Sequence, residues 1–580
     1  MSKTPQQEKV EAALGCIVRA FEDYNASFSD ITQRAKRRFV ACDRAGMTQD
    51  VAARYALYDT AIHHTINELE QILGERLFSR AIWTQIRKRY LTITEQLLDA
   101  RLYRTFFNTI SRRLFKTAGV DAAIEFTEKD ALALAGCNQS IGDKPPTERF
   151  CVRLTDPAGV TGFIEAMGCD WPLQRVENAT EALIERLASL AHSTSPTADI
   201  HVEMLVPAFY RGGRAYRVGR FLSETKAQPL VLAFQAQAGG VELEAILTET
   251  RQVSILFGYT FNYFMADLWV VDPVIHFLKS ILPSKPVAEL YTVLGRVKQG
   301  KTERYQSFFA HLSTKATDEL VEAEGKKGMV MLVFTLPSYP LVFKLIRDRF
   351  APSKQVTRSD VLERYHLVFR HDRVGRLIDA QEFRELKLPL ASLSKPLLGA
   401  LESECGRLVE RQGEDLVIHH CYVERRVRPL DLYLAEVDEA LATHAVIDYG
   451  QAIKDLARSN IFAGDLLPKN FGVTGSGRVI FYDYDELRLM SECHFRHWPQ
   501  SGDDMLQMSA EPWFYVGQDD VFPEQFPLFM GLGPARLAVL RAHHGELFDA
   551  DWWVDTQLAL ADGQLLDVPP FTTEAQLSQA

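Results

Sequence analysis

The heptapeptide Gly464-Asp-Leu-Leu-Pro-Lys-Asn470 sets a carboxylate, Asp465, five positions ahead of a carboxamide, Asn470, with Pro468 stiffening the chain between them. Thirteen positions beyond Asn470 stands Asp483, the first acid of Asp483-Tyr-Asp485. The intervening Phe471-Gly-Val473 and Thr474-Gly-Ser-Gly477 read as a strand and turn of a small hairpin. Upstream, Lys344 lies inside the apolar run Leu341-Val-Phe-Lys-Leu-Ile346, where an ammonium demands an anionic partner. Phosphoryl transfer needs this set of groups: a cation on nucleotide phosphates, oxygen ligands for magnesium, and a carboxylate beside the acceptor hydroxyl. Spacing alone is a weak signal, because an Asp and an Asn five apart arise about once by chance in a chain of this length. Taken singly, Asp465 and Asp483 read as turn or cap residues and Lys344 as a solvated edge lysine. Their combination and order carry the chemistry. Lys469 is either a surface lysine or a cation that neutralises the moving phosphoryl group.

Strands and helices must bring these residues together. Gly325-Lys-Lys-Gly328 leads into the apolar run 329–336, then Pro337-Ser-Tyr-Pro340, then the Lys344 run, which predicts strand, tight turn, strand. Thr357-Arg-Ser-Asp360 is a capping-box start for a helix with Val361, Leu362, Tyr365, Val368 and Phe369 at helical spacing. Glu363 or Asp372 on that element is the expected ion-pair partner of Lys344. Further strands are expected at 383–388 and 416–423, and a mainly helical stretch at 432–460. Earlier in the chain, 8–116 reads as helices, as in Tyr58, Ile62, Ile66 and Leu69. Strands follow over about 149–247, with hairpin turns at Gly212-Gly213 and Gly239-Gly240, and helical periodicity returns over about 253–320.

Bulk composition excludes several classes. At 580 residues the chain is long enough for two or three domains. Hydrophobic residues at 47% and charged residues at 24% suit a chain that buries a large core. A formal net charge of -11, with scattered Lys and Arg, gives no basic face, so nucleic acid is not an expected partner. The eight cysteines lack short metal or redox spacings. The polar N-terminus and the lack of a long apolar run lead to the expectation of a cytosolic protein without a membrane partner.

The Asp465, Asn470 and Asp483 spacing resembles the protein-kinase catalytic loop and its following metal-binding aspartate. Three departures stand out. Ala463-Gly464 replaces the usual His-Arg before the catalytic aspartate, so control should come from elsewhere. The Gly-x-Gly-x-x-Gly loop is missing, leaving Ala323, Glu324, Gly325, Lys326, Lys327, Gly328 and Met329 as a shorter anion-binding loop. Ala-Pro-Glu is missing too, although Ala510-Glu-Pro-Trp513 lies downstream. Read with Gly328-Met-Val-Met-Leu-Val-Phe-Thr-Leu-Pro337, His371-Asp-Arg-Val-Gly-Arg376, Asp379 through Phe383, Asn470-Phe-Gly-Val473 and Phe481-Tyr-Asp-Tyr-Asp-Glu486, the chain is similar over its whole length to isocitrate dehydrogenase kinase/phosphatase.

That resemblance implies an α+β fold: a mainly helical regulatory domain, 1–318, with a small β-hairpin subdomain, then a bilobal protein-kinase-like domain, 319–580, whose lobes divide near 424. It implies a bifunctional enzyme that phosphorylates and dephosphorylates a serine of isocitrate dehydrogenase, controlling flux into the glyoxylate bypass, with accompanying ATPase activity. By resemblance, 323–329 and Lys344 bind ATP or ADP, Asp465 is the kinase base, and Asn470 and Asp483 hold Mg2+ or Mn2+. Asp379 and Asp485 are then linked to the phosphatase direction, and AMP is the expected allosteric effector near the domain junction. Asp379 read without the family is a helix-end cap. A loop at about 496–514 is either a contact for protein substrate or ordinary packing. A homodimer is compatible with the sequence, which does not fix the oligomeric state. Two rival classes stand beside this reading: a silent pseudokinase scaffold and a small-molecule kinase.

Overall fold

The computed structural model of the chain describes residues 4–127, 145–168, 170–190, 199–222, 227–258, 263–314, 318–351, 356–371, 374–499, 514–563, 568–571 and 575–577. Asp372, Ala510-Glu-Pro-Trp513 and most of the 496–514 loop fall outside them. The chain divides into two compact units, one comprising Met1–Gly258, Asn262–Ser313 and Phe571–Ala580, the other built on Thr314–Pro570. Among the described residues no helix is long and apolar enough to cross a membrane.

In the first unit, apolar positions three and four apart produce the front helices Pro5–Val40, Arg44–Leu73, Arg80–Thr94 and Ala100–Phe115. Thr4 and Gln7 cap the first of them reciprocally. Their inward faces meet around Phe21, Trp83, Tyr90, Phe106 and Phe107. The strands are β1 (Thr147–Arg153), β2 (Asp199–Leu205), β3 (Phe209–Arg211), β4 (Arg214–Phe221), β5 (Gln228–Gln237) and β6 (Gly240–Leu247). They form one antiparallel sheet in the order β1-β2-β4-β5-β6, with β3 on β4. Gly212-Gly213 turns β3 into β4 with φ of 58° and 82°, values that favour glycine. Two helices, Pro157–Met167 and Val176–Leu190, precede β2 and are not apparent from spacing. Both faces of the sheet are covered: Leu230, Leu232 and Phe234 of β5 join the core beneath those two helices, while Val231 and Ala233 join the core of the front helices.

The second unit opens with the short β7 (Val321–Glu322), which the spacing does not indicate, and continues with β8 (Met331–Thr335) and β9 (Leu341–Ile346), the expected strand, turn and strand. The helix Arg358–His371 begins with the expected capping box: Thr357 N–H donates to Asp360 at 2.8 Å and Asp360 N–H to Thr357 at 3.2 Å. β10 (Gln381–Pro389), β11 (Val409–Gln412) and β12 (Asp415–Arg425) complete an antiparallel sheet in the order β10-β12-β9-β8-β7, with β11 on β12. The short β13 (Arg428–Pro429) leads to the helices Leu430–Glu436 and Glu439–Arg458. β14 (Ile461–Phe462) then precedes the hairpin of β15 (Phe471–Val473) and β16 (Val479–Phe481), and β13 adds to that hairpin. An antiparallel sheet with the helices Arg358–His371 and Lys395–Glu404, followed by a mainly helical section, is the bilobal kinase-like arrangement.

Candidate active site

Alternation along β9 turns Lys344 to the same side as Val342 and Ile346. Its side chain is 7% exposed, and Nζ makes two 2.8 Å contacts, an ion pair with Glu424 Oε2 and a hydrogen bond donated to the Tyr482 carbonyl. The same ammonium lies 5.1 Å from the centre of the Tyr482 ring. The partner expected from the helix is therefore corrected: Glu363 is exposed there, and the pairing acid is Glu424 of β12. The register explains why. β12 lies beside β9 with Glu424 opposite Val342 and Tyr422 opposite Lys344, so Glu424 and Lys344 share a face on adjoining strands. Burial pushes the Glu424 carboxyl above its ordinary value; Lys344 pulls it down, and Asp379 and Asp483 push it up.

The catalytic-type loop owes its shape to local constraints. Gly464 has φ +74°, and a Cβ there would meet the Glu486 carbonyl oxygen at 2.2 Å. Asp465 Oδ1 accepts the Leu467 N–H at 3.0 Å, so this residue does serve its own turn while also lining the cleft. Pro468–Asn470 forms one tight helical turn, and the Asn470 amide N–H donates to the Asp465 carbonyl at 3.2 Å. That bond leaves the Asn470 side-chain oxygen as an acceptor. In the hairpin Phe471 pairs with Phe481, and the Tyr482 N–H donates to the Asn470 carbonyl at 3.1 Å. Asp483 therefore emerges next to Asn470, although it lies 13 positions further along the chain.

One cleft gathers most of the expected residues: Lys344, Asp465, Lys469, Asn470, Asp483 and Asp485 all line it, as do 324–329. Ala323 does not; its N–H is held by the Val333 carbonyl at 2.9 Å. Asp379 is also absent from the lining. It is 7% exposed, stands at the foot of β10 rather than at a helix end, and accepts a hydrogen bond from Gln381 at 3.1 Å. Its position is set from a distance. Arg376, buried and fully ion-paired, holds Asp448 through two bonds of 2.8 and 2.9 Å and Asp455 through one of 2.8 Å, and donates to the Val479 carbonyl at 2.8 Å. Leu377 then bridges to Phe481, which lays 376–379 alongside β16. Burial opposes ionisation of Asp448, yet Arg376 holds that carboxyl below its ordinary value. Glu424, Asp431 and Tyr482 are site residues that spacing does not reveal.

A buried ammonium, a glycine-lysine loop and a group of oxygen donors around one cleft suit a polyphosphate with a hard divalent cation. Comparison with known proteins agrees with that chemistry. The family model described as Isocitrate dehydrogenase kinase/phosphatase (AceK) kinase domain matches residues 318–573, and the corresponding regulatory-domain model matches 15–316. A protein of Xanthomonas campestris pv. campestris (strain 8004) named isocitrate dehydrogenase kinase/phosphatase is 45% identical over 587 residues, covering 99% of each chain. One of that name from Anaeromyxobacter dehalogenans (strain 2CP-C) is 41% identical over 582 residues, covering 98% of each. Among solved structures, a Cydia pomonella granulovirus kinase aligns with 45% of this chain and 97% of its own at 12% identity and a TM-score of 0.20, too slight a likeness to argue from. On the two domain matches and the near full-length identities, this chain belongs to the isocitrate dehydrogenase kinase/phosphatase family.

Proposed function

We propose that this chain is a bifunctional enzyme that transfers the γ-phosphoryl group of ATP to a serine of isocitrate dehydrogenase and removes it again at the same cleft, so controlling flux into the glyoxylate bypass. The observation that carries the reading is the cleft in which Lys344, Asp465, Asn470 and Asp483 meet. In the forward direction Asp465 takes the seryl proton as the serine oxygen bonds to the γ-phosphorus and the bond to the β-phosphate oxygen breaks, releasing ADP. Lys344 and 324–329 hold the nucleotide phosphates, with Ala323 held back by its bond to Val333, and Lys469 offsets charge on the group in transfer. Asn470 and Asp483 suit Mg2+ or Mn2+, since both offer hard oxygen donors and the Asn470 N–H is already committed. Bound there, the ion would neutralise phosphate charge.

In the reverse direction Asp485, which lines the cleft, positions and deprotonates a water whose oxygen bonds to the phosphoserine phosphorus as the bond from phosphorus to the serine oxygen breaks. The serine oxygen takes up a proton and inorganic phosphate is released; Asp379, buried outside the lining, is assigned to this direction as well. ATP hydrolysis is the expected side reaction when water replaces serine. Residues 1–318 act as regulator and 319–580, apart from Phe571–Ala580, which belongs to the first unit, as catalyst, with AMP shifting the balance toward the phosphatase. A cavity in the first unit lined by Tyr24, Tyr55, Tyr58, Arg54, Arg296 and Lys298 supports that assignment, because it offers ring faces for a base and cations for a phosphate. Burial and the neighbouring Arg296 push Arg54 down to about 10, a strain that an anion relieves. The test is incubation of the protein with γ-labelled ATP, Mg2+ and purified isocitrate dehydrogenase, with and without AMP. Label should enter a serine of the dehydrogenase and fall when AMP is added. Label on a small metabolite instead, or no transfer by folded protein, would sink the reading.

A further inference from the structure

We infer that Glu424 is the positioning residue for Lys344 and that this half of the nucleotide site is assembled permanently, because both members of the pair belong to neighbouring strands. The inference rests on the nucleotide-binding reading above and deepens it. Glu424 is 1% exposed and Lys344 Nζ lies 2.8 Å from its Oε2. An ammonium has three N–H donors. Two of them are spent, on Glu424 and on the Tyr482 carbonyl, which leaves the third for the cleft that Lys344 lines. The second of these bonds ties the lysine to the residue just before Asp483, so one nitrogen registers the sheet and the metal-binding segment together.

The backbone makes the arrangement stiff. β9 and β12 are paired directly over 341–344 and 422–425, so Lys344 and Glu424 cannot part without breaking the ladder. Where the lysine's partner is borne on a helix, movement of that helix switches the pair on and off. Here the helix Arg358–His371 supplies no such acid among the described residues: Glu363 is exposed and Asp360 caps its own helix. The second oxygen of Glu424, Oε1, is buried and has no hydrogen-bond partner among the described residues, where Lys344 is the cation that the carboxylate pairs with. Loss of Glu424 would leave a buried ammonium with one neutral partner and freedom to turn away from the phosphates.

A double-mutant cycle on the full chain tests this, with binding of a fluorescent trinitrophenyl-ATP in Mg2+ as the readout. Lys344→Met and Glu424→Gln should each weaken binding at least about tenfold, and the double variant should be no weaker than Lys344→Met alone, to within about twofold. A residue with a merely structural role would add its loss to that of Lys344→Met. Should Glu424→Gln fold poorly, the double variant, which buries no unpaired charge, should recover the melting temperature and still bind like Lys344→Met. Glu363→Ala should bind like the parent. Losses that multiply in the double variant, a silent Glu424→Gln, or a Glu363→Ala defect as large as that of Glu424→Gln would overturn the inference. If Lys344→Met itself binds normally, the nucleotide-site reading falls with it; a weakened Lys344→Met beside a silent Glu424→Gln overturns the inference alone.

Discussion

Asp483 and Asp485 are two residues apart, yet they are expected to fail differently when removed. Asp483 stands beside Asn470 in the donor set proposed for the cation, so Asp483→Ala should abolish labelling and delabelling of the dehydrogenase alike. Asp485 is given the water in the reverse direction, so Asp485→Ala should damage phosphatase activity more than kinase activity. Equal losses in paired assays would refute that division. Gly464, just before the proposed base, admits no side chain: its φ is +74° and an added Cβ would sit 2.2 Å from the Glu486 carbonyl oxygen. Gly464→Ala should cost about 1–3 kcal/mol in strain, seen as a lower melting temperature and at least about tenfold slower transfer. Arg376→Ala would leave the buried Asp455 and the partly exposed Asp448 without their cation, a loss of about 3 kcal/mol measurable by urea denaturation.

At the scale of elements, Asp99 joins two helices far apart in the chain. It sits just before the helix Ala100–Phe115 with φ of 56°, and its carboxylate accepts the N–H groups of Val271 and Asp272 at 2.9–3.0 Å. It thereby supplies the start of the helix Asp272–Ile281 with acceptors for otherwise unpaired donors. Burial, with Asp272 nearby, pushes the Asp99 carboxyl up to about 6. Because the folded value exceeds that of the unfolded chain, about 3.9, folding is favoured most by this group in acid. Its contribution is lost as pH rises from about 4 through 6. Asp99→Asn keeps an oxygen acceptor and cannot ionise. The melting temperature of the variant, compared with that of the parent, should therefore improve steadily between pH 4 and pH 7. A difference that stays constant with pH would rule this out.

At the scale of the molecule, the chain terminus returns to the first unit. Ala575 is buried in its core, Phe571 packs against that core, and the Leu577 N–H donates to the Glu244 carbonyl at 2.9 Å. Truncation after residue 570 should destabilise the first unit by about 2 kcal/mol, the value of burying one large apolar side chain. A denaturation midpoint unchanged by the truncation would show the tail to be dispensable.

Short-range features of this protein are legible in its amino-acid sequence. The β8–β9 strands, the Thr357–Asp360 capping box, the Gly212-Gly213 turn and the delivery of Asp483 beside Asn470 each depend on residues within about one hairpin of each other, and local chemistry decides them. Other features are hidden there. Glu424 lies 80 residues from Lys344, and nothing in the spacing of either names β12 as the neighbour of β9. Asp379 is placed through Arg376, whose partners lie 72 and 79 residues away. The β5 strand, buried on both faces, lacks the polar alternation that marks a half-exposed strand. The sequence by itself determined which groups could do phosphoryl chemistry and the turns that present them, because those interactions are local. Which anion meets Lys344, and where Asp379 stands, only the tertiary structure decided, because strand adjacency and buried ion pairs are settled by packing across the chain.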